Sequence, residues 1–149
     1  MQVDWQRAAA YVVVHDHNSR LLLTQFEKIG HPQSGAWTLP GGGMEWGEQA
    51  HETAARELKE ETGLDAEIGP LLGVQSQWFE ASSTPSRKSG HAIRLIFRGT
   101  NAFGELKRDF SDDDTTIDAA WFDMNELHKL KRVSVVDFAI ALIGNSRDV

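Results

Sequence analysis

The chain has 149 residues, 40% of them apolar and 25% charged, a balance that suits one soluble globular domain, residues 1–149, with a core of its own. Its formal charge of −7 argues against a protein that works mainly by gripping nucleic-acid backbone, though a nucleotide could still be held by a few local cations and a metal. With no cysteine there is no disulfide, thiolate metal site or cysteine nucleophile, which fits a reducing cytoplasm; no apolar run nears the ~20 residues of a membrane span, and the start, MQVDWQRAAA, lacks signal-peptide form.

Residues 8–15 (AAAYVVVH) are apolar and β-branched and read as a buried strand. The turn cluster Asp16-His17-Asn18-Ser19 leads to a second strand over residues 20–26, and the pair is expected to form a hairpin. Residues 27–36, with Gly30, Pro32, Ser34 and Gly35, read as a loop. Trp37-Thr38-Leu39 is a short strand ended by Pro40, and Gly41-Gly42-Gly43 reads as a sharp turn able to approach a ligand closely.

From Gly47 or Glu48 the pattern becomes helical. Ala50, Ala54, Ala55 and Leu58 form the apolar stripe, Glu48 falls in the first turn, and Gly63 is the stop. Residues 65–79 read as a strand interrupted near Gly69-Pro70, residues 80–90 as the most loop-like segment, and residues 91–98 as a strand. An acidic stretch around Asp112-Asp113-Asp114 precedes a short strand at 119–122. A short helix at 125–130 follows, then a C-terminal helix at 134–143 that Ser134 caps and Gly144 ends. Strands, helix, strands, helices in that order predict an α+β protein, a mixed sheet covered by helices, rather than a regular βαβ repeat.

Glu57, Glu60 and Glu61 stand three and four apart, so a helix puts them on one face. Carboxylates crowded in this way need either full solvation or a cation. A hard divalent ion takes oxygen ligands and binds through a few carboxylates plus substrate phosphates. Arg56 and Glu48, about two turns apart, are placed to pair and to fix the face. With a metal to neutralise phosphate and activate water, the set suits hydrolysis of a phosphate ester or pyrophosphate. Elsewhere, Trp78 and Phe79 are candidates for base stacking or for the core. Arg94 and Arg98, alternating on one strand, are candidates for phosphate contact or for solvated positions. The six histidines show no ligand spacing.

The full stretch from Gly42 through Glu48, Arg56-Glu57-Leu58 and Glu60-Glu61 to Gly63-Leu64 resembles the Nudix box at every defined position. More weakly, residues 37–42 resemble the strand and turn that lead into the box, and Ala120-Trp121-Phe122 with Asn125-Glu126-Leu127 resembles the closing strand and helix. The resemblance implies an α/β/α sandwich around a central mixed sheet. It also implies hydrolysis, with Mg²⁺ or Mn²⁺, of a nucleoside diphosphate linked to another group: a nucleoside triphosphate, ADP-ribose or a nucleotide sugar. Glu57 and Glu61 then become the main metal ligands, Glu60 a direct or water-mediated one, and the Gly41 carbonyl a further one, with Arg56 and Glu48 as the orienting pair. The general base is a box glutamate, Glu57 or Glu60, or an acid on a later loop. Where family members often carry a glutamate in that loop this chain has Thr115, and Asp114 is the nearest substitute. Two alternatives accompany this reading: a catalytically inactive nucleotide-binding regulator, which is expected to lose box carboxylates that this chain keeps, and an RNA 5′-end pyrophosphohydrolase, which the acidic charge disfavours. The expected partner is a small nucleotide, without membrane, and the family resemblance favours a homodimer.

Overall fold

In the computed structural model, which describes residues 3–113 and 115–145, the first strand organises the fold. This strand, β1 (Trp5–Val14), is apolar on both faces from Ala9 onward, and Ala9, Ala10, Val12, Val13 and Val14 are all buried. A strand buried on both sides belongs in the middle of a sheet. Four further strands, β2 (Arg20–Phe26), β3 (Trp37–Thr38), β4 (Gly41–Gly43) and, beyond the first helix, β5 (Asp65–Phe79), precede β6 (Gly90–Phe103) and β7 (Thr116–Asp123). In one sheet the order is β4-β1-β6-β5, with β1 parallel to β6 and antiparallel to β4; an antiparallel sheet has the order β3-β2-β7.

The two faces of β1 feed two cores. Ala10, Val12 and Val14 pack with Ala54, Leu58 and Leu64 of the first helix region, α1 (Ala50–Thr62). Val13 joins Leu21, Leu23, Leu39 and Ile96, together with Val135, Val136 and Ala139 of α2 (Ser134–Asn145). One helix therefore lies on each side of the sheet layer, the α/β/α arrangement expected, with the strands divided between a mixed and an antiparallel sheet. Fully burying a leucine such as Leu58 contributes about 1.5–3 kcal/mol, so α1 is held by its apolar stripe and its opposite face is free for charge. Among the described residues no helix is long and apolar enough to cross a membrane.

Several local expectations are corrected. β1 and β2 do not form a hairpin: they share only an isolated bridge, His15 to Leu21, because both edges of β1 are taken by β4 and β6. The glycine run is a strand, not a turn. Side chains are excluded there because a Cβ on Gly41 would lie 2.4 Å from the Tyr11 ring and 2.5 Å from the Ala10 carbonyl oxygen. The helix starts at Ala50, later than expected, since Gly47 has φ +87° and Gln49 is extended; Glu52 accepts the Gln49 N–H at 2.9 Å in its place. Gly63, at φ +78°, ends α1 as expected, its N–H reaching the Lys59 carbonyl at 2.9 Å. The interruption expected near Gly69-Pro70 is there: the pairing register shifts between Ile68 and Leu71 while β5 runs on to Phe79, which an edge strand tolerates. Residues 124–129 form a 3₁₀ turn, and α2 continues through Gly144.

Candidate active site

The polar face of α1 is ordered by Arg56. Its Nε donates to Glu48 Oε2 at 2.7 Å and its Nη2 to Glu48 Oε1 at 3.0 Å, a forked pair. Nη1 donates to Glu57 at 3.0 Å and Glu60 at 3.2 Å, and Nη2 also reaches the Gly43 carbonyl at 3.2 Å. One guanidinium thus ties the helix, the loop before it and β4 together. Glu48 stands just ahead of the helix cap, where it also accepts the Glu45 N–H and the Thr53 hydroxyl. The Arg56 bonds, helped by the Glu45 N–H, hold the Glu48 carboxyl at about 2, and the same bonds raise the Arg56 guanidinium above its usual range.

Glu57 and Glu61 are in the opposite condition. Burial pushes the Glu61 carboxyl up to about 8, although it accepts the Gly41 N–H at 2.8 Å and the Thr116 hydroxyl at 3.2 Å; the nearby charges of Glu57 and Asp113 add to the push. Burial also raises Glu57, with Arg56 opposing and Glu60 reinforcing. The Glu57 carboxylate presses so closely on β4 that a Cβ on Gly42 would meet its Oε1 at 2.7 Å. Two carboxylates raised by burial and by neighbouring carboxylates beside a glycine strand are chemically suited to a divalent cation, whose charge would relieve both penalties. Among the described residues no three acidic or histidine side chains converge to hold a metal ion, so Glu57, Glu60 and Glu61 do not meet as one ligand set in this structure. Glu60 is more exposed, on the Arg56 side of this pair.

Glu61, Gly41 and Gly42 form one end of a cavity of about 420 Å³. The sheet register explains its floor. Arg7 and Tyr11 of β1, Arg94 of β6 and Gln77 and Phe79 of β5 share the sheet face turned away from α1. Phe26 at the end of β2 and Lys28, His31 and Gln33 of the loop after it line the cavity too, with Thr38, Thr115 and residues 132–135 at the start of α2.

The expected site residues divide accordingly. Glu57, Glu61, Arg56 and Glu48 come together with Gly41, whose amide faces Glu61. Arg94 and Phe79 reach the cavity. Trp78, one residue before Phe79, turns to the opposite face, stacked on His91 at 3.7 Å between ring centroids and largely exposed. Arg98 is not part of the cavity lining, and among the described residues its buried Nε and Nη2 have no hydrogen-bond partner. On the later loop, Asp112 is exposed and pairs with Lys107, Asp113 accepts the N–H groups of Thr115 and Thr116, and Asp114 lies outside the described residues. Arg7, Lys28, Gln77 and Ser134 are cavity residues that the sequence reading missed. Arg7 was discoverable, because carrying the β1 alternation back from Tyr11 through Ala9 lands on it.

The NUDIX domain model matches residues 5–140, which takes in every strand, α1 and the first part of α2. The chain belongs to the NUDIX family. It is 38% identical over 119 residues to an ADP-ribose pyrophosphatase of Methanocaldococcus jannaschii, covering 79% of this chain and 62% of that protein. To the NAD-capped RNA hydrolase NudC of Vibrio atlanticus it is 32% identical over 139 residues, 92% of this chain but 44% of that one. The chain therefore spans only part of these relatives' length. The crystal structure of a MutT NUDIX hydrolase from Burkholderia pseudomallei superposes with a TM-score of 0.74 at 23% identity, covering 95% of this chain and 98% of that one, and this likeness is one of fold.

Proposed function

We propose that this NUDIX chain is a metal-dependent pyrophosphohydrolase acting on a nucleoside diphosphate linked to another group: a nucleoside triphosphate, ADP-ribose or a nucleotide sugar. The observation that carries the reading is the junction at Gly41, Gly42 and Glu61, where the Arg56-ordered carboxylate face opens into the cavity. Glu57, Glu60 and Glu61, with the Gly41 carbonyl, are the groups to hold Mg²⁺ or Mn²⁺. When bound, such an ion neutralises phosphate charge and makes water a better nucleophile.

The chain's own residues do the rest. Arg56 and Glu48 fix the carboxylates, since a rotamer drift of about 1 Å is enough to cost roughly 10²-fold in rate. Glu57, Glu60 or Asp114 takes the proton of the attacking water. The water oxygen bonds to one phosphorus, the bridging P–O bond breaks, and its electron pair leaves with the second phosphate. Two phosphate-bearing products result, one of them a nucleoside monophosphate.

The test is a panel of nucleoside diphosphate derivatives with Mg²⁺, followed by product chromatography, on wild type and Glu57→Gln. The variant keeps shape and loses the ligand charge, so turnover should drop by orders of magnitude with an unchanged circular dichroism spectrum. Near-normal turnover would remove Glu57 from the site, and no turnover of any compound by wild type would reject the hydrolase reading.

A further inference from the structure

The cavity is far more basic than the protein around it. In a chain of charge −7, it is lined by Arg7, Lys28, Arg94 and Arg132, with Glu61 as its carboxylate. Arg132 is committed elsewhere: its Nε donates to Asp137 at 2.8 Å and its Nη1 to the carbonyls of Leu127 and Leu130. The other three are not. Among the described residues, no carboxylate lies within ion-pair distance of Arg7, Lys28 or Arg94.

Arg94 is nevertheless held in place. Its Nη1 donates to the amide oxygens of Gln75, at 3.1 Å, and Gln77, neutral acceptors that orient a guanidinium without cancelling its charge. Ser134 at the start of α2 braces Gln77 in turn, its hydroxyl donating at 3.3 Å. Arg7 sits against β4, where a Cβ on Gly43 would lie 2.8 Å from its guanidinium, and its charge is felt by Glu57. It stands at the boundary between the carboxylates and the cavity. The positive field reaches the roof as well: burial, then Lys28 and Lys131, lower the His31 imidazole.

An apolar group filling this space would strip water from cations and return nothing for it, and a neutral acceptor would leave their charge uncompensated. A phosphate would make charge-assisted hydrogen bonds with them. The carboxylate end cannot accept an anion without a cation between; this end needs none. We infer that Arg7, Lys28 and Arg94 form a second anion site, which takes a phosphate of the substrate that is not part of the bridge being cut. This rests on the hydrolase reading above. Two sources supply such a group: the third phosphate of a nucleoside triphosphate, or a phosphomonoester on the sugar of the retained half.

The experiment has two parts. With Mg²⁺, kcat/KM is measured for ADP-ribose against ADP-ribose 2′-phosphate and for ADP against ATP on wild type, Arg7→Gln, Lys28→Gln and Arg94→Gln. Without metal, in EDTA, calorimetry compares AMP with adenosine 2′,5′-bisphosphate and ADP with ATP. At least one phosphate-bearing compound should exceed its plain counterpart by roughly tenfold or more in both measurements, and the variants should bring that ratio towards one. Which compound wins identifies the source. Lys28 and Arg7 are exposed, so their variants are expected to melt with wild type and keep the test valid if Arg94→Gln is unstable. Equal handling of plain and phosphate-bearing ligands, or variants that weaken all ligands alike, would overturn the second site. If no compound is hydrolysed, the hydrolase reading fails, and the metal-free titration still decides the anion site.

Discussion

Replacing Gly42 by alanine adds one methyl group at the junction of strand and carboxylate face, and its consequences follow from geometry. The new Cβ would lie 2.7 Å from Glu57 Oε1 and 2.8 Å from its Cδ, whereas ordinary contact begins near 3.4 Å. The Glu57 carboxylate must retreat by about 0.7 Å, and it can, because the end of a side chain moves more cheaply than backbone. Arg56 follows, since its Nη1 is bonded to Glu57 and Glu60. A shift of that size in a metal ligand should lower kcat/KM by roughly 10- to 100-fold. The melting temperature should barely change, as no backbone is displaced. Gly41→Ala is the contrasting control, because its Cβ meets the Ala10 carbonyl at 2.5 Å and the Tyr11 ring at 2.4 Å, which separates β4 from β1 and destabilises the fold. Steady-state kinetics with Mg²⁺ and thermal denaturation of both variants provide the check. A Gly42→Ala protein with wild-type kcat/KM would refute the placement of Glu57 at the reacting centre.

Asp114→Asn should slow turnover at saturating substrate if this acid is the base; an unchanged rate returns that role to Glu57 or Glu60. Phe79→Ala should raise KM several-fold, while Trp78→Ala, on the opposite sheet face, should leave KM as it is; the reverse pattern would contradict the cavity as the substrate site. Asp16 provides a pH signature. Burial pushes its carboxyl up, but the Arg20 N–H and guanidinium and the Asn18 N–H outweigh this and hold it below 3.8. A carboxyl lowered in the folded state stabilises above its unfolded value and loses that contribution as pH falls through the folded one. Acid titration of the melting temperature should therefore show a loss below pH 3.8 that is smaller in Asp16→Asn, and identical curves would show that the Arg20 pairing adds nothing.

The part of the site that lies on one helix was readable because helical spacing is rigid: Glu57, Glu60 and Glu61 had to share a face, and Arg56 was beside them. The glycine run was read for its freedom, although its use is the lack of a side chain where β4 meets β1. The false hairpin arose because Asp16–Ser19 carries good turn chemistry while the pairing of β1 with β6, some eighty residues away, leaves no local trace. That same long-range pairing builds the cavity floor. Arg7 and Arg94 become neighbours only through strand register, and Trp78 and Phe79 separate because adjacent residues on a strand face opposite ways.

The place of β1 at the centre of the sheet sets a timetable for the chain. β4 can cover one edge of the first strand early, but the other edge must stay open until β6 has been synthesised and folded back beside it, and the cavity is closed only when the start of α2 arrives. During elongation at about 5–20 residues per second, that leaves an apolar strand without its partner for several seconds. The ligand cannot help over this interval, because no nascent form contains both Arg7 and Arg94 in register. A ligand of this cavity would stabilise only the finished molecule, so this fold has to rely on its two cores to hold β1 out of the reach of other chains.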